Sequence, residues 1–275
     1  MTKQVPYKFV TKGEVTYLTF NIWEQDKALH HGFSTRAGGV SNGEFASLNL
    51  GFNRGDCYEN VVENYRRISK AIEVPFESLV ISKQVHETCI AKVDDLNCGN
   101  GILRPNQWES MDGLYTKTPN VTLVTHYADC VPLLFYAPKY GMIGMAHAGW
   151  RGTVAEIGRK MVEIWNKEEG IPCHEIQVVI GPSIGPCHFE VDEDVATAFN
   201  TRFPEASFIT FHETSHKYSI DLWAYNKQTL LSAGVLEEHI IVSGICTCCY
   251  DQIFFSHRKT AGKRGTLGAF MCLKS

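Results

Sequence analysis

The stretch Gly141 to Gly152, G-M-I-G-M-A-H-A-G-W-R-G, reads as a strand that runs into a tight turn and opens a helix. Met142, Ile143 and Met145 are the apolar strand, and His147 stands where it gives out. Gly149 and Gly152 let the backbone turn sharply and come close to a ligand. A helix from about Trp150 to Lys167 follows, with free N–H groups and a positive dipole end facing the turn. A titratable side chain at such a junction suits a metal, an anion or both. The plainer alternative is a glycine-rich turn beside a hydrogen-bonded core histidine.

Working back toward the N-terminus, two further side chains share this context. Val121 to Tyr127 is strongly β and passes into Ala128-Asp129-Cys130-Val131-Pro132 before the apolar Leu133 to Ala137. Pro132 has no ladder donor, so it is expected to break the two β runs. Asp129 and Cys130 then sit at a kink. Leu79 to Ser82 is a short strand leading into K-Q-V-H-E, which puts His86 at a strand end, and Thr88 to Val93 is a second strand. Two imidazoles and one thiolate make a borderline-soft set suited to zinc or copper. Three protein ligands with one open position is the catalytic pattern. The three are 44 and 17 residues apart, so no local finger spacing supports the reading. Cys130 with His86 or His147 equally suits a thiol nucleophile and its base. His126 shares a face with Cys130 if the strand stays extended, and the simplest expectation for it is a core residue.

Other segments complete a mixed α/β reading. Val15 to Phe20 is a strand. His30 to Gly55 is rich in Gly, Ser and Asn, and reads as a long ordered loop with apolar anchors. Its Arg36 and Arg54 can bind an anion by forked hydrogen bonds, or lie on the surface. Asp56 is expected to cap a helix to about Ile72, with Val61, Tyr65, Ile68 and Ile72 on one face. Asp112-Gly113 reads as a turn. Strands are read at Ile176 to Ile180, Ile240 to Ile245 and Thr266 to Cys272. Helices are read at Asp192 to Asn200 and Asp221 to Ala233, with the two aspartates as candidate caps. Strands outnumber helices, so the expectation is one α/β domain spanning 1–275, with a substantial, partly antiparallel sheet and flanking helices.

Composition bounds the partners. The 275 residues suffice for a sizeable core, at 44% hydrophobic and 20% charged. A net charge of -4 gives no reason to expect nucleic acid or an anionic membrane. No apolar run approaches a membrane span, and M-T-K-Q-V-P-Y-K-F-V does not read as a signal peptide. The ten cysteines are scattered, which points to a reduced, cytoplasmic protein. Cys246, Cys248 and Cys249 contain one C-x-x-C without a second to pair with it, and are expected to be core thiols or an adventitious metal site.

The pieces H-G-F-S-T-R-A-G-G-V-S, S-L-N-L-G, K-Q-V-H, D-G-L-Y-T, A-D-C-V-P, H-A-G-W-R-G, I-G-P-S-I-G-P-C-H-F-E-V and F-F-S-H-R, in this order, resemble the laccase-domain or "polyphenol oxidase" family. This is the YfiH/YlmD type of purine nucleoside phosphorylase. The resemblance runs from about His31 to Phe270, and T-H-Y-A-D-C-V-P brings the chain nearest the YlmD-like bacterial members. It implies a metal on His86, Cys130 and His147, and a single-domain α/β fold shared with certain toxin deamidases that use a cysteine nucleophile. His188-Phe189 departs from the Cys-Tyr or Ala-Tyr common in the family, so His188 is expected to serve local packing.

The activities implied are phosphorolysis of purine nucleosides and of methylthioadenosine, adenosine deamination, and copper-dependent phenol oxidation. The residues weigh against the last. A laccase needs several His-x-His pairs, and none occurs here; His30-His31 is the only adjacent pair. Copper replacing zinc in the three-ligand site accounts better for any oxidase activity. Deamination needs a metal-activated water and a proton carrier, for which Asp129 and Cys130 are candidates, with Asp129 equally suited to support. Phosphorolysis needs an anion site, and Arg36, Arg54, Arg151, Arg258, Ser34 and the helix start after Gly149 are the groups available. Asn49 suits ribose or base. Arg36 and Asn49 lie in the matched motifs and are the first choices.

Overall fold

The computed structural model describes residues 5–200, 203 and 207–275; the first four residues of the segment read for a leader lie outside the described residues. Two six-stranded sheets dominate. The first runs β1 (Tyr7–Lys12), β2 (Val15–Phe20), β3 (Leu29–Ser34), β15 (Leu267–Leu273), β7 (Thr122–Tyr127), β4 (Leu79–Ile81), antiparallel except for the last pair. The second runs β14 (Ile240–Val242), β10 (Gln177–Ile180), β8 (Val131–Ala137), β9 (Met142–Ala148), β6 (Gly113–Thr116), β5 (Ile90–Lys92), with both outermost pairs parallel. A small third sheet joins β11 (Glu190–Val191), β13 (Lys217–Ile220) and β12 (Ile209–His212).

Side-chain alternation stacks the large sheets face to face. Along β7, Leu123 and Tyr127 enter the same core as Leu134, Tyr136, Ile143 and Met145 of the other sheet, while Val124 faces outward. The outer face of the first sheet is covered by α1 (Tyr58–Ile72), which buries Val61, Tyr65, Ile68 and Ile72. Burial of each such side chain stabilises by about 1.5–3 kcal/mol. The outer face of the second sheet is covered by α2 (Trp150–Val154), α3 (Ile157–Glu168) and α5 (Leu222–Ser232), with α4 (Glu193–Asn200) packed beyond them through Ala196. The short α6 (His257–Thr260) lies between β14 and β15 in the chain. The molecule is therefore a mixed α/β sandwich in four layers, helix, sheet, sheet, helix. Among the described residues no helix is long and apolar enough to cross a membrane.

The expected mixed, partly antiparallel α/β architecture is found, with its strands divided between two large sheets and one small one. Several local expectations need correction. The expected loop from His30 begins as β3, which is flanked by β2 and β15. Pro132 lies inside β8 rather than between strands. Its carbonyl accepts from Gly181 N–H just past the end of β10, where its own missing N–H has no strand partner to serve. The helix expected over Trp150 to Lys167 is two pieces, broken at Glu156, whose backbone is left-handed (φ 57°). Both pieces keep their apolar face on the sheet, which is why the periodicity reads through the break. Cys57, not Asp56, is the N-cap of α1, since Asp56 faces back toward the preceding loop. Asp221 does cap α5, accepting from Ala224 N–H at 2.9 Å.

Candidate functional site

The register of β8 on β9 builds the site. Pro132 sits opposite His147 and Val131 opposite Ala148, so the residue before β8, Cys130, arrives beside the end of β9. β7 ends at Tyr127, and the chain then turns through Asp129 with a left-handed backbone (φ 88°). His126 lines the same cavity as Cys130, but its Nε2 meets the Tyr65 hydroxyl and it does not join the donor cluster. His86 comes from the loop between β4 and β5, again with a left-handed backbone (φ 68°). Two non-glycine residues held in this conformation, one a site residue and the other its neighbour, mark a locally constrained backbone.

The donor atoms of His86, Cys130 and His147 lie within 4.8 Å of one another. Cys130 Sγ is 3.8 Å from His86 Nε2, and the two imidazole centroids are 4.9 Å apart. His147 is buried, Cys130 half-buried and His86 exposed, so the cluster opens to one side. Gly149 makes this approach possible through its size rather than its dihedral angles. A β-carbon there would stand 2.8 Å from His86 Cδ2 and 3.3 Å from Cys130 Sγ.

Asp112 organises the set. It is fully buried, and its Oδ1 accepts from His147 Nδ1 at 2.8 Å and from His86 N–H at 3.1 Å. Its Oδ2 accepts from the N–H groups of Val85 and Glu87 at 3.1 and 3.0 Å. One carboxylate thus fixes the His147 ring and pins the loop that carries His86. Burial pushes the Asp112 carboxyl up, but the His147 hydrogen bond and charge and the backbone donors outweigh it and hold the group below its ordinary value. Burial likewise pushes the Cys130 thiol up, yet His147 and His86 bring it down to about 6. Burial lowers His147, while the Cys130 charge and Asp112 raise it to about 9. Without a metal the pair is a thiolate beside an imidazolium.

A cavity of about 520 Å³ opens onto these three residues. At its other side lie Phe52, Arg54, Lys83 and Arg264, and none of its lining residues is acidic. No carboxylate pairs with Arg54 or Arg264 among the described residues. Arg264 is buried, donates through Nη1 to Gly265 O and Thr266 Oγ1 at 3.0 Å, and leaves its Nε without a partner. Burial, then the neighbouring charge of Arg54, lowers Arg264 to about 10.

The other expected site residues are placed elsewhere. Arg36 donates to Ala46 O and Asp251 O and lies over Phe255, bracing its loop. Asn49 is fully buried and ties Gly51, Asp56 and Thr266 together. Ser34 Oγ accepts from Gly268 N–H. Arg151 lies over Trp150, and Arg258 donates to His188 O. Asp129 accepts from Thr247 Oγ1 and Arg258 N–H at 2.7 and 2.6 Å, so both its oxygens are engaged. Of the six expected substrate residues only Arg54 lines the cavity. Sequence reasoning missed Asp112, Lys83 and Arg264. The D-G-L-Y-T motif carried a signal for the first, since a carboxylate directly before a buried strand needs partners.

Three soft-to-borderline donors at one end of a cationic cavity, with a buried carboxylate holding one of the rings, match the donor pattern of catalytic rather than structural metal centres. The family model described as "Multi-copper polyphenol oxidoreductase laccase" matches residues 30–274, and the chain belongs to that family. It is 43% identical over 242 residues to purine nucleoside phosphorylase YlmD of Geobacillus stearothermophilus, covering 87% of this chain and 88% of that protein. The crystal structure of YlmD from that organism superposes with a TM-score of 0.89 at 38% identity, over 98% of this chain and 100% of the other. The crystal structure of the hypothetical protein YfiH from Bacillus licheniformis gives 0.90 at 35% identity, over 97% and 99%.

Proposed function

We propose that this chain is a metal-dependent purine nucleoside phosphorylase that acts on adenosine, inosine, guanosine and methylthioadenosine and also deaminates adenosine. The observation that carries the reading is one cavity joining the His86, Cys130, His147 cluster to the cations Arg54, Lys83 and Arg264. The names of the relatives support the same substrate class. The donor set fits zinc, and copper would bind it more tightly. A bound ion supplies a Lewis acid and lowers the pKa of a coordinated water.

The protein's own groups supply the rest. Asp112 holds the Nδ1 side of His147 and leaves Nε2 free toward the cluster. Arg54, Lys83 and Arg264 take the phosphate dianion. A phosphate oxygen bonds to C1′ of the ribose as the bond to the purine nitrogen breaks, and the base leaves with the electron pair and takes up the proton that the hydrogen phosphate gives up. Phe52 offers a ring face for the purine. Arg36, Asn49 and Ser34 support the walls, and Asp129 positions Cys130 rather than carrying protons.

Metal-loaded protein with inorganic phosphate should convert inosine to hypoxanthine and ribose 1-phosphate, read by chromatography. Arg54→Ala should raise the KM for phosphate about 10- to 100-fold, the loss of one charge-assisted contact, with a smaller change in kcat. Failure of the loaded enzyme to turn over any purine nucleoside would sink the reading. A second reading has its own observation. Cys130, His147 and Asp112 form a nucleophile, base and orienting carboxylate, the arrangement of a thiol hydrolase. Chelation separates the two, since it abolishes the first activity and spares the second.

A further inference from the structure

Away from the cavity, the loop after β10 carries Cys187 and His188, and the turn after β14 carries Cys246 and Cys249. The C-x-x-C that lacked a partner in the sequence finds one here, as an adjacent Cys-His pair rather than a second C-x-x-C. We propose that Cys187, His188, Cys246 and Cys249 form a second metal centre, a closed Cys3His site that takes one zinc ion and holds the wall behind Cys130.

The distances support a four-donor cage. His188 Nδ1 lies 3.2 Å from Cys187 Sγ, 3.4 Å from Cys249 Sγ and 3.7 Å from Cys246 Sγ. Cys187 Sγ and Cys249 Sγ are 3.6 Å apart, and all four donors lie within 4.8 Å of one another. A tetrahedron with Zn–S of about 2.3 Å and Zn–N of about 2.0–2.1 Å has edges of about 3.5–3.8 Å. The sulfur separation is far above the roughly 2.05 Å of a disulfide. Four protein donors leave no open position, which is the structural class of zinc site, in contrast to the three-donor cluster in the cavity. Gly185 N–H donates to Cys246 Sγ at 3.3 Å, the bond a thiolate wants, and the Arg258 guanidinium donates to His188 O close by. His188, expected to serve local packing, instead turns a ring nitrogen toward three sulfurs.

The two segments so joined are the ones that hold Asp129. Ile184 N–H donates to its carbonyl at 2.9 Å, and Thr247 Oγ1 to its carboxylate at 2.7 Å. The proposed clip therefore fixes the left-handed turn that presents Cys130, without touching the cavity. It also closes a long loop containing the small third sheet, α4 and α5, where a cross-link restricts the unfolded chain most.

The test is a zinc count on the full-length protein, purified from zinc-supplemented cells, by inductively coupled plasma mass spectrometry. Two zinc ions per chain are expected. Cys249→Ser and His188→Ala should each leave one, Cys130→Ala should leave one, and Cys130→Ala with Cys249→Ser should leave none. One zinc in the wild type, retained in Cys249→Ser and lost in Cys130→Ala, would overturn the proposal. Because a variant can fail to fold, alkylation of the wild type gives a second reading. In zinc-loaded protein iodoacetamide should label the exposed Cys57 and Cys89 while sparing Cys187 and Cys249, and a chelator should expose both. Labelling of Cys187 and Cys249 as fast as Cys57, or their recovery as a disulfide before reduction, would also overturn it.

Discussion

His147 has two ring nitrogens, and Asp112 takes one of them. With Nδ1 donating to a buried carboxylate, the neutral ring must present its Nε2 lone pair to the cluster. Asp112→Asn keeps the shape but offers an amide that can meet either tautomer, and it weakens the hold on the loop bearing His86. The expected result is a 10- to 100-fold loss of metal affinity, the usual effect of removing such an outer partner. Competition with a chromogenic chelator measures it, and circular dichroism checks that the fold survives; unchanged affinity would show that Asp112 supports neither donor of the cluster. This residue was hard to read in the sequence because an Asp before a Gly is the common signature of a turn. Arg264 was harder still. It lies in A-G-K-R-G, which reads as solvent-facing loop, whereas Asn49 and Leu50 bind the backbone of Thr266 and Arg264 beside it is buried.

At the scale of elements, α1 was legible because its apolar face repeats at three and four residues and packs on a sheet. Its start was read one residue too early. Asp56 is a good cap by type, but Ser41 and Asn49 claim its carboxylate, leaving Cys57 at the cap, where its thiol donates to the Glu59 carboxylate and accepts from no backbone N–H of the first turn. Cys57→Ser would supply an acceptor for a first-turn N–H and should stabilise the protein by about 0.5–1 kcal/mol. That corresponds to a rise of roughly 2 °C in the melting temperature of a chain this size. No rise in thermal melts of the metal-loaded variant would mean that the exposed cap is already served by water. The strands were legible as strands, but not their division between two sheets. Along β8 both alternating faces are apolar, so periodicity could not say which layer each face meets.

For the molecule as a whole, the layers bury titratable groups that set its acid stability. His31 packs between Phe20 and Trp23 and accepts Phe20 N–H at Nε2, 2.8 Å away; burial, then the charge of His30, lowers it to about 4. His126, against Tyr65, is lowered to about 4 by burial and then by His147, Arg54 and Arg264. Both are neutral in the folded protein and titrate near 6.5 when unfolded, so the unfolded chain binds more protons below that pH. Their stabilisation is complete above about pH 6.5 and is lost as pH falls toward 4, by about 2–3 kcal/mol for each. The metal-free Cys130–His147 pair adds little between about pH 6.5 and 9, because it holds one proton in both states, on nitrogen when folded and on sulfur when unfolded. Denaturant unfolding of the chelator-treated protein should therefore show a marked fall in stability from pH 7.5 to 4.5. His31→Gln, which keeps an acceptor for Phe20 N–H but cannot titrate, should make that fall smaller by about 2–3 kcal/mol. An unchanged slope in the variant would mean that His31 becomes protonated in the folded state, with water reaching the layer between the sheets.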